Sequence, residues 1–258
     1  MEKLVDETRT TPSQAQEDNS SEKPFWEPDI TAAGIGKTGE QIINLTDTQT
    51  RAERITNPEP GEVNDTDFLI LTADISKPQN RRQASKLLEN TRAQYTVFFA
   101  GGRTQHPETL VEETDLLFPV NQLTRYPWLT STAITDLFEC MMSPTIQELG
   151  HGDIQVTVGK DRIGRLFIDS LEGTSQLDEV TSSAEKGSVD AKLLFICYNG
   201  PYPEPSIERK IQEYERPANA AYLWDPRTHP RYKDRPHIKR FLAFDSSRET
   251  MAQALTQN

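Results

Sequence analysis

Short apolar runs and helix-periodic segments alternate along this chain, and the alternation starts only near Phe25-Trp26. Residues 1–26 carry Glu, Asp, Ser, Thr, Gln and Pro with almost no apolar side chain, so they cannot offset the entropy of ordering and a disordered acidic tail is expected. A strand is then predicted over 30–33, a helix over 37–51, and a Pro/Gly-containing loop at 57–61. The near-continuous apolar run Asp67-Phe-Leu-Ile-Leu-Thr-Ala-Asp74 reads as a strand covered on both faces. A helix over 79–92 follows, with Ala84, Leu87 and Leu88 on one face. Strands are expected at 95–100, ending at Gly101-Gly102, and at 116–120. This order argues for a parallel, doubly wound α/β sheet.

The second half reads differently. A long central helix is predicted from about 129 to 149, with Ile134, Leu137, Phe138 and Met141 as a core-facing stripe and Pro144 as a break point. Residues 153–158 and 165–168 flank a Gly159-to-Gly164 turn and predict a hairpin; a polar linker covers 172–190. Strands at 191–197, 220–224 and 237–244, with a helix over 206–214, make up a smaller α+β unit, and the chain from Ser246 reads as a polar tail. The expected division is therefore a tail at 1–26, a Rossmann-like unit at 27–128, a central helix at 129–150, an α+β domain at 151–246 and a polar tail at 247–258.

Charge narrows the partners. Forty acidic residues against 28 basic ones give a net charge of −12, which disfavours bulk nucleic-acid binding because phosphate attraction dominates such complexes. The basic residues are mostly arginine, a pattern suited to a salt-rich cytoplasm. A mean hydropathy of −0.67, with no window near the roughly 18 apolar residues of a membrane span, predicts no membrane crossing. The amino terminus lacks the basic and apolar regions of a secretory signal, so the cytoplasm is the expected compartment. Cys140 and Cys197 have neither metal nor disulfide spacing and are expected to be buried thiols.

The chemistry-bearing motif is Gly34-Ile-Gly36-Lys37-Thr38-Gly39, three glycines at G-x-G-x-x-G spacing between a strand and a helix. Glycine permits the tight turn and lets phosphate reach the amides at the helix start, where the helix dipole favours an anion. A tight turn without ligand explains the glycines equally well. A Walker loop is excluded, since its opening glycine would fall at Thr31. Gly101, Gly102 and Arg103 stand at the carboxyl end of a strand, where doubly wound sheets bind ligands. The four histidines show no metal or nucleophile spacing; His106 and His151 read as loop residues. The basic stretch from Asp225 to Arg240, with His229 and His237, reads as a solvated loop between strands, although a phosphate or an acidic partner could use it.

These segments, taken together, resemble the FtsZ/tubulin superfamily, with matches over roughly 29–125 and 190–245. Gly34 to Asn44 resembles the family's first phosphate loop, G-x-G-G-x-G-x-N-x-x-N, from which Lys37 and Gln41 depart. Asp115-Leu-Leu-Phe-Pro-Val-Asn121-Gln-Leu123 is similar to the D-x-x-I-x-I-P-N-D-x-L segment. Lys192 to Gly200, and Ala221 to Asp225, resemble the start of the family's carboxyl-terminal domain. The resemblance implies an FtsZ-like nucleotide domain, central helix and smaller α+β domain, and Asn121 joins the nucleotide-binding candidates.

The departures bear on mechanism. The resemblance aligns the strand at 67–73 with one leading into a glycine-rich phosphate loop, but this chain reads Asp74-Ile-Ser-Lys-Pro-Gln-Asn80. That segment has no glycine, a proline without an N–H, and a carboxylate that repels phosphate. The family's catalytic acidic loop follows the central helix; here Asp153 is the one candidate relic, and a turn role is favoured. Some 23 residues between Asn44 and Asp67 are too few for the family's intervening strands. The expectation is a shortened, divergent member without GTP hydrolysis: no catalytic or metal residues, no resident cofactor, weak GTP, GDP or phosphate binding at most, and a protein partner or self-association. The alternative is a dinucleotide- or nucleotide-binding Rossmann-type enzyme using Gly34, Gly36 and Gly39, with Glu53 at about the ribose-binding distance.

Overall fold

The computed structural model describes residues 28–46, 52–63, 65–120, 123, 127–142, 155, 158–170, 176–179, 189–198, 221–228 and 237–257. In chain order these form β1 (Ile30–Ile35), α1 (Gly36–Leu45), β2 (Glu53–Thr56), β3 (Phe68–Asp74), α2 (Pro78–Asn90), β4 (Tyr95–Gly101), α3 (Glu108–Glu112), β5 (Leu116–Val120) and α4 (Pro127–Met142). There follow β6 (Arg162–Ser170), β7 (Gln176–Glu179), β8 (Val189–Tyr198), β9 (Ala221–Thr228), β10 (His237–Asp245) and α5 (Arg248–Gln257). One sheet carries all the described strands in the order β2-β1-β3-β4-β5-β6-β10-β8-β9, with β7 beside β6. Its first six strands are parallel. β10 runs antiparallel to β6 and β8. The fold is the expected doubly wound, mostly parallel α/β sheet with a mixed carboxyl-terminal part.

Alternation of side chains across the sheet separates two cores. Ile30, Ala32, Phe68, Ile70, Val97, Phe99 and Phe118 meet Ile42 and Ile43 of α1 and Ile134, Leu137 and Phe138 of α4. On the other face Leu69, Leu71, Phe98, Ala100 and Leu117 meet Ala84, Leu87 and Leu88 of α2, Leu110 and Val111 of α3, and Met251 and Leu255 of α5. β3 and β4 are buried along their whole length, which is why each reads as an unbroken apolar run rather than an alternation. Phe99 and Phe118 stack with ring centroids 4.6 Å apart and tie β4 to β5.

Several expectations are corrected. The stretch read as too short for the family's intervening strands holds one short strand, β2, four residues paired parallel to β1. α1 stops at Leu45, where Thr46 turns extended and its hydroxyl bonds the Ile42 carbonyl, so the helix does not reach Arg51. Of the predicted 153–158 strand only Gln155 and Val158 are described, and both are helical, with Gly159 N–H bonding the Gln155 carbonyl at 2.9 Å. The predicted hairpin partner, 165–168, belongs to β6, which pairs with β5, β10 and β7 instead. β7 and the start of β8 occupy the predicted linker. Asp225–Thr228 and His237–Arg240 of the basic stretch are in β9 and β10. The expected polar tail is α5, with Met251 and Leu255 fully buried. Residues 1–27, 143–154 and 206–214 lie outside the described residues, as do Asp153, His151 and His229. Among the described residues no helix is long and apolar enough to cross a membrane.

A buried phenol ties β4 to the turn before β6. The Tyr95 hydroxyl donates to the Gly159 carbonyl at 2.7 Å. Burial, reinforced by the Asp115 carboxylate and opposed by Arg162, raises its pKa far above the ordinary 10.0. The folded state therefore holds this proton at pH values where the unfolded chain releases it. The resulting stability is fully present below about pH 10 and is lost as pH rises further, by up to about 1.4 kcal/mol per unit. Urea denaturation of Tyr95→Phe between about pH 9 and pH 11 is expected to show a shallower alkaline decline, at a cost of about 1 kcal/mol at neutral pH. An unchanged decline would assign the effect to another group.

Candidate functional site

In a doubly wound sheet ligands bind where the strand order reverses, outside the carboxyl ends of the strands. Here β1 lies between β2 and β3, so that point is framed by the β1–α1 turn and the β3–α2 turn. The first holds Gly34, Gly36, Lys37, Thr38 and Gly39. Gly36 has φ +70°, the left-handed region that favours glycine. Gly34 and Gly39 touch each other: a Cβ on Gly34 would lie 2.3 Å from the Gly39 carbonyl oxygen, and one on Gly39 would lie 2.6 Å from the Thr72 carbonyl oxygen of β3. These two glycines let α1 press directly onto the strands. Lys37 is exposed, while Thr38 and Gly39 are buried.

Two asparagines absent from the sequence-based candidates complete this turn. Asn57, at the end of β2 with φ +50°, accepts the Gly36 N–H on its Oδ1 at 2.7 Å and donates its own N–H to the Gly34 carbonyl at 2.7 Å. One amide that could have met an anion is thus already bonded. Asn80, in the first turn of α2, lies against Gly36 from the other side: a Cβ there would be 2.4 Å from Asn80 Nδ2. Its Nδ2 donates to the Asp74 backbone carbonyl at 3.1 Å, and the residue is 7% exposed. Asn57 carried a faint signal, an Asn-Pro pair closing a short strand. Asn80 carried none, because its role depends on a contact between separate turns.

The β3–α2 turn is organised by Asp74. Its Oδ1 accepts the Ser76 hydroxyl at 2.5 Å and the Ser76 N–H at 3.2 Å, and Lys77 Nζ stands 3.6 Å from Oδ2. The Ile75 N–H bonds the Gly101 carbonyl at 2.7 Å. Gly102, with φ +81°, packs so closely that a Cβ would be 2.7 Å from Ser76 Cβ and 3.0 Å from Asp74 Oδ1. Gly36 and Gly102 therefore flank one carboxylate-centred turn. Gly101 ends β4 against Leu123. Arg103 continues away from this point into the loop after β4, beside Arg81. Asn121 lies outside the described residues. Glu53 opens β2 opposite Thr31, whereas the glycine turn is level with Thr56, so about 10 Å of strand separates them. Among the described residues no cluster of His, Cys, Asp or Glu has metal-binding geometry.

No protein-family model and no curated relative matches the sequence. Solved structures do. An empty FtsZ dimer from M. jannaschii superposes with a TM-score of 0.66 at 12% identity, covering 84% of this chain and 88% of that one. The chain has an FtsZ/tubulin-like fold. CetZ from Methanosaeta thermophila follows at 0.59 and 12% identity over 88% and 90% of the two chains. GDP-form protofilaments of TubZ from Bacillus thuringiensis serovar israelensis give 0.55 at 8% identity over 88% and 92%. The FtsZ/tubulin-like likeness spans both the parallel and the mixed parts of the sheet, and at these identities it establishes architecture alone.

Proposed function

We propose that this chain is a divergent FtsZ/tubulin-like protein that has lost GTP hydrolysis and works as an assembly or interaction module. The observation that carries the reading is the β3–α2 turn. It presents the Asp74 carboxylate, a proline at the helix start and no glycine where the family resemblance calls for a loop of phosphate-cradling amides. A helix amino terminus favours an anion by about 1 kcal/mol. A carboxylate within about 5 Å of a phosphate charge opposes it by about 3 kcal/mol at an effective dielectric near 20. Lys77 offsets part of that repulsion, but Asn57 and Asn80 have already filled the turn at Gly36. The described residues of these two turns do not form a triphosphate cradle.

The similar solved structures supply the other half of the reading, since they include an FtsZ dimer and protofilaments of TubZ and CetZ2. In this reading the chain keeps the fold for assembly and has given up the phosphate cradle. The separation of Glu53 from the glycine turn weighs against the dinucleotide-dependent alternative. Purified protein is expected to release no phosphate from GTP above background at any concentration, and to self-associate, or bind a filament-forming relative, equally with and without GTP. Sedimentation and phosphate-release assays check both. Turnover abolished by Asp153→Ala, or assembly that requires GTP, overturns the reading.

A further inference from the structure

A second place is built for an anion, apart from the β1–α1 turn. A cleft of about 430 Å³ opens between α2, the loop after β4 and the end of α5, lined by Arg81, Arg103, Thr104, Gln105, His106 and Thr256. None of these is a carboxylate, in a chain whose net charge is −12. The overall field of such a chain repels anions, and two guanidinium groups on one cleft oppose it locally.

The wall is held from three directions. Thr104 is 4% exposed. Its N–H donates to the Leu255 carbonyl of α5 at 2.9 Å, and its hydroxyl accepts Arg81 Nη1 at 3.1 Å and the His106 N–H at 3.1 Å. That bond uses one of the five N–H donors of Arg81 and holds its guanidinium at the cleft edge. Arg103 follows Gly102, whose positive φ and close approach to Ser76 set where the loop leaves β4. The cleft is therefore pre-organised by backbone contacts.

We propose that this cleft binds a small phosphate-bearing molecule, with Arg81 and Arg103 as the anion clamp and Gln105, His106 and Thr256 as hydrogen-bonding groups for its body. Two guanidinium forks match the several oxygens of a phosphate dianion, where a single carboxylate is satisfied by one. The volume falls within the range of about 300–1,000 Å³ usual for small-molecule sites, more than a bare ion needs. The proposal does not depend on whether the β1–α1 turn binds anything or on the loss of hydrolysis.

The test is a ¹H–¹⁵N NMR titration of the full chain with inorganic phosphate and, separately, ribose 5-phosphate. Saturable shifts are expected at the amides of Thr104, Gln105 and His106. Arg103→Gln is expected to weaken binding about tenfold. Arg248→Gln, the same charge change on the exposed start of α5, is expected to leave it unaltered. Arg81→Gln repeats the test from the other side, with its melting curve recorded because it also loses the Thr104 bond. Tighter binding of ribose 5-phosphate than of phosphate at the same amides supports the whole proposal; equal affinity supports the clamp and overturns the roles of Gln105, His106 and Thr256. No shift at these amides, or equal weakening by Arg103→Gln and Arg248→Gln, overturns it.

Discussion

Truncation after Ser246 is expected to lower the melting temperature by about 10 °C. Met251 and Leu255 lie one helical turn apart and are fully buried against the α2/α3 side of the sheet. Burial of such a side chain is worth about 1.5–3 kcal/mol, so their removal costs about 4 kcal/mol. It also uncovers Leu110 and Val111 of α3 and deprives the Thr104 N–H of its acceptor. For a chain of this size each kcal/mol moves the midpoint by about 2–4 °C. Deleting residues 1–24, by contrast, is expected to shift it by no more than about 2 °C, because that segment has no apolar anchors. Circular dichroism melts of the two truncations decide the matter: equal, small shifts would mean that α5 contributes little to the core.

The contrast between these segments shows what the sequence could convey. β3 and β4 were legible because both of their faces are buried, so the apolar run needs no partner to be recognised. α5 was not, since Arg248 to Gln257 offers only Met251 and Leu255, with Ala252 and Ala254 beside them, in an otherwise polar stretch. Two anchors make a stripe only once the surface they cover is known. β2 escaped for the same reason from the opposite side: Glu53-Arg-Ile-Thr56 is a short, largely exposed edge strand whose pairing rests on backbone bonds. The glycine spacing pointed to the turn at the switch point, and the turn is there. What fills it was illegible, because Asn57 and Asn80 arrive from β2 and α2, more than twenty residues from Gly36 or Gly34 in each case. Asp74 was legible as a carboxylate in the wrong place for phosphate, and its bonds to Ser76 show what holds it there.

Substitution of the glycines separates close packing from anion binding. Gly39→Ala is expected to destabilise the chain by about 3 kcal/mol or more, the upper end for overpacking. Its Cβ would meet main-chain atoms, the Thr72 carbonyl oxygen at 2.6 Å and the Gly34 carbonyl carbon at 2.9 Å, and neither can rotate aside. Gly36→Ala meets a side chain instead, Asn80 Nδ2 at 2.4 Å, besides a φ of +70°. Its cost therefore has two parts: about 1 kcal/mol for the left-handed backbone, and a clash that disappears once Asn80 is shortened. In a double-mutant cycle, Asn80→Ala is expected to recover the second part and leave the first, so that the pair costs less than the sum of the singles. Urea denaturation measures all four variants. Additive costs would place Asn80 away from Gly36, and a Gly39→Ala chain within about 1 kcal/mol of the parent would mean that α1 does not press onto β3 closely enough for packing to require glycine there.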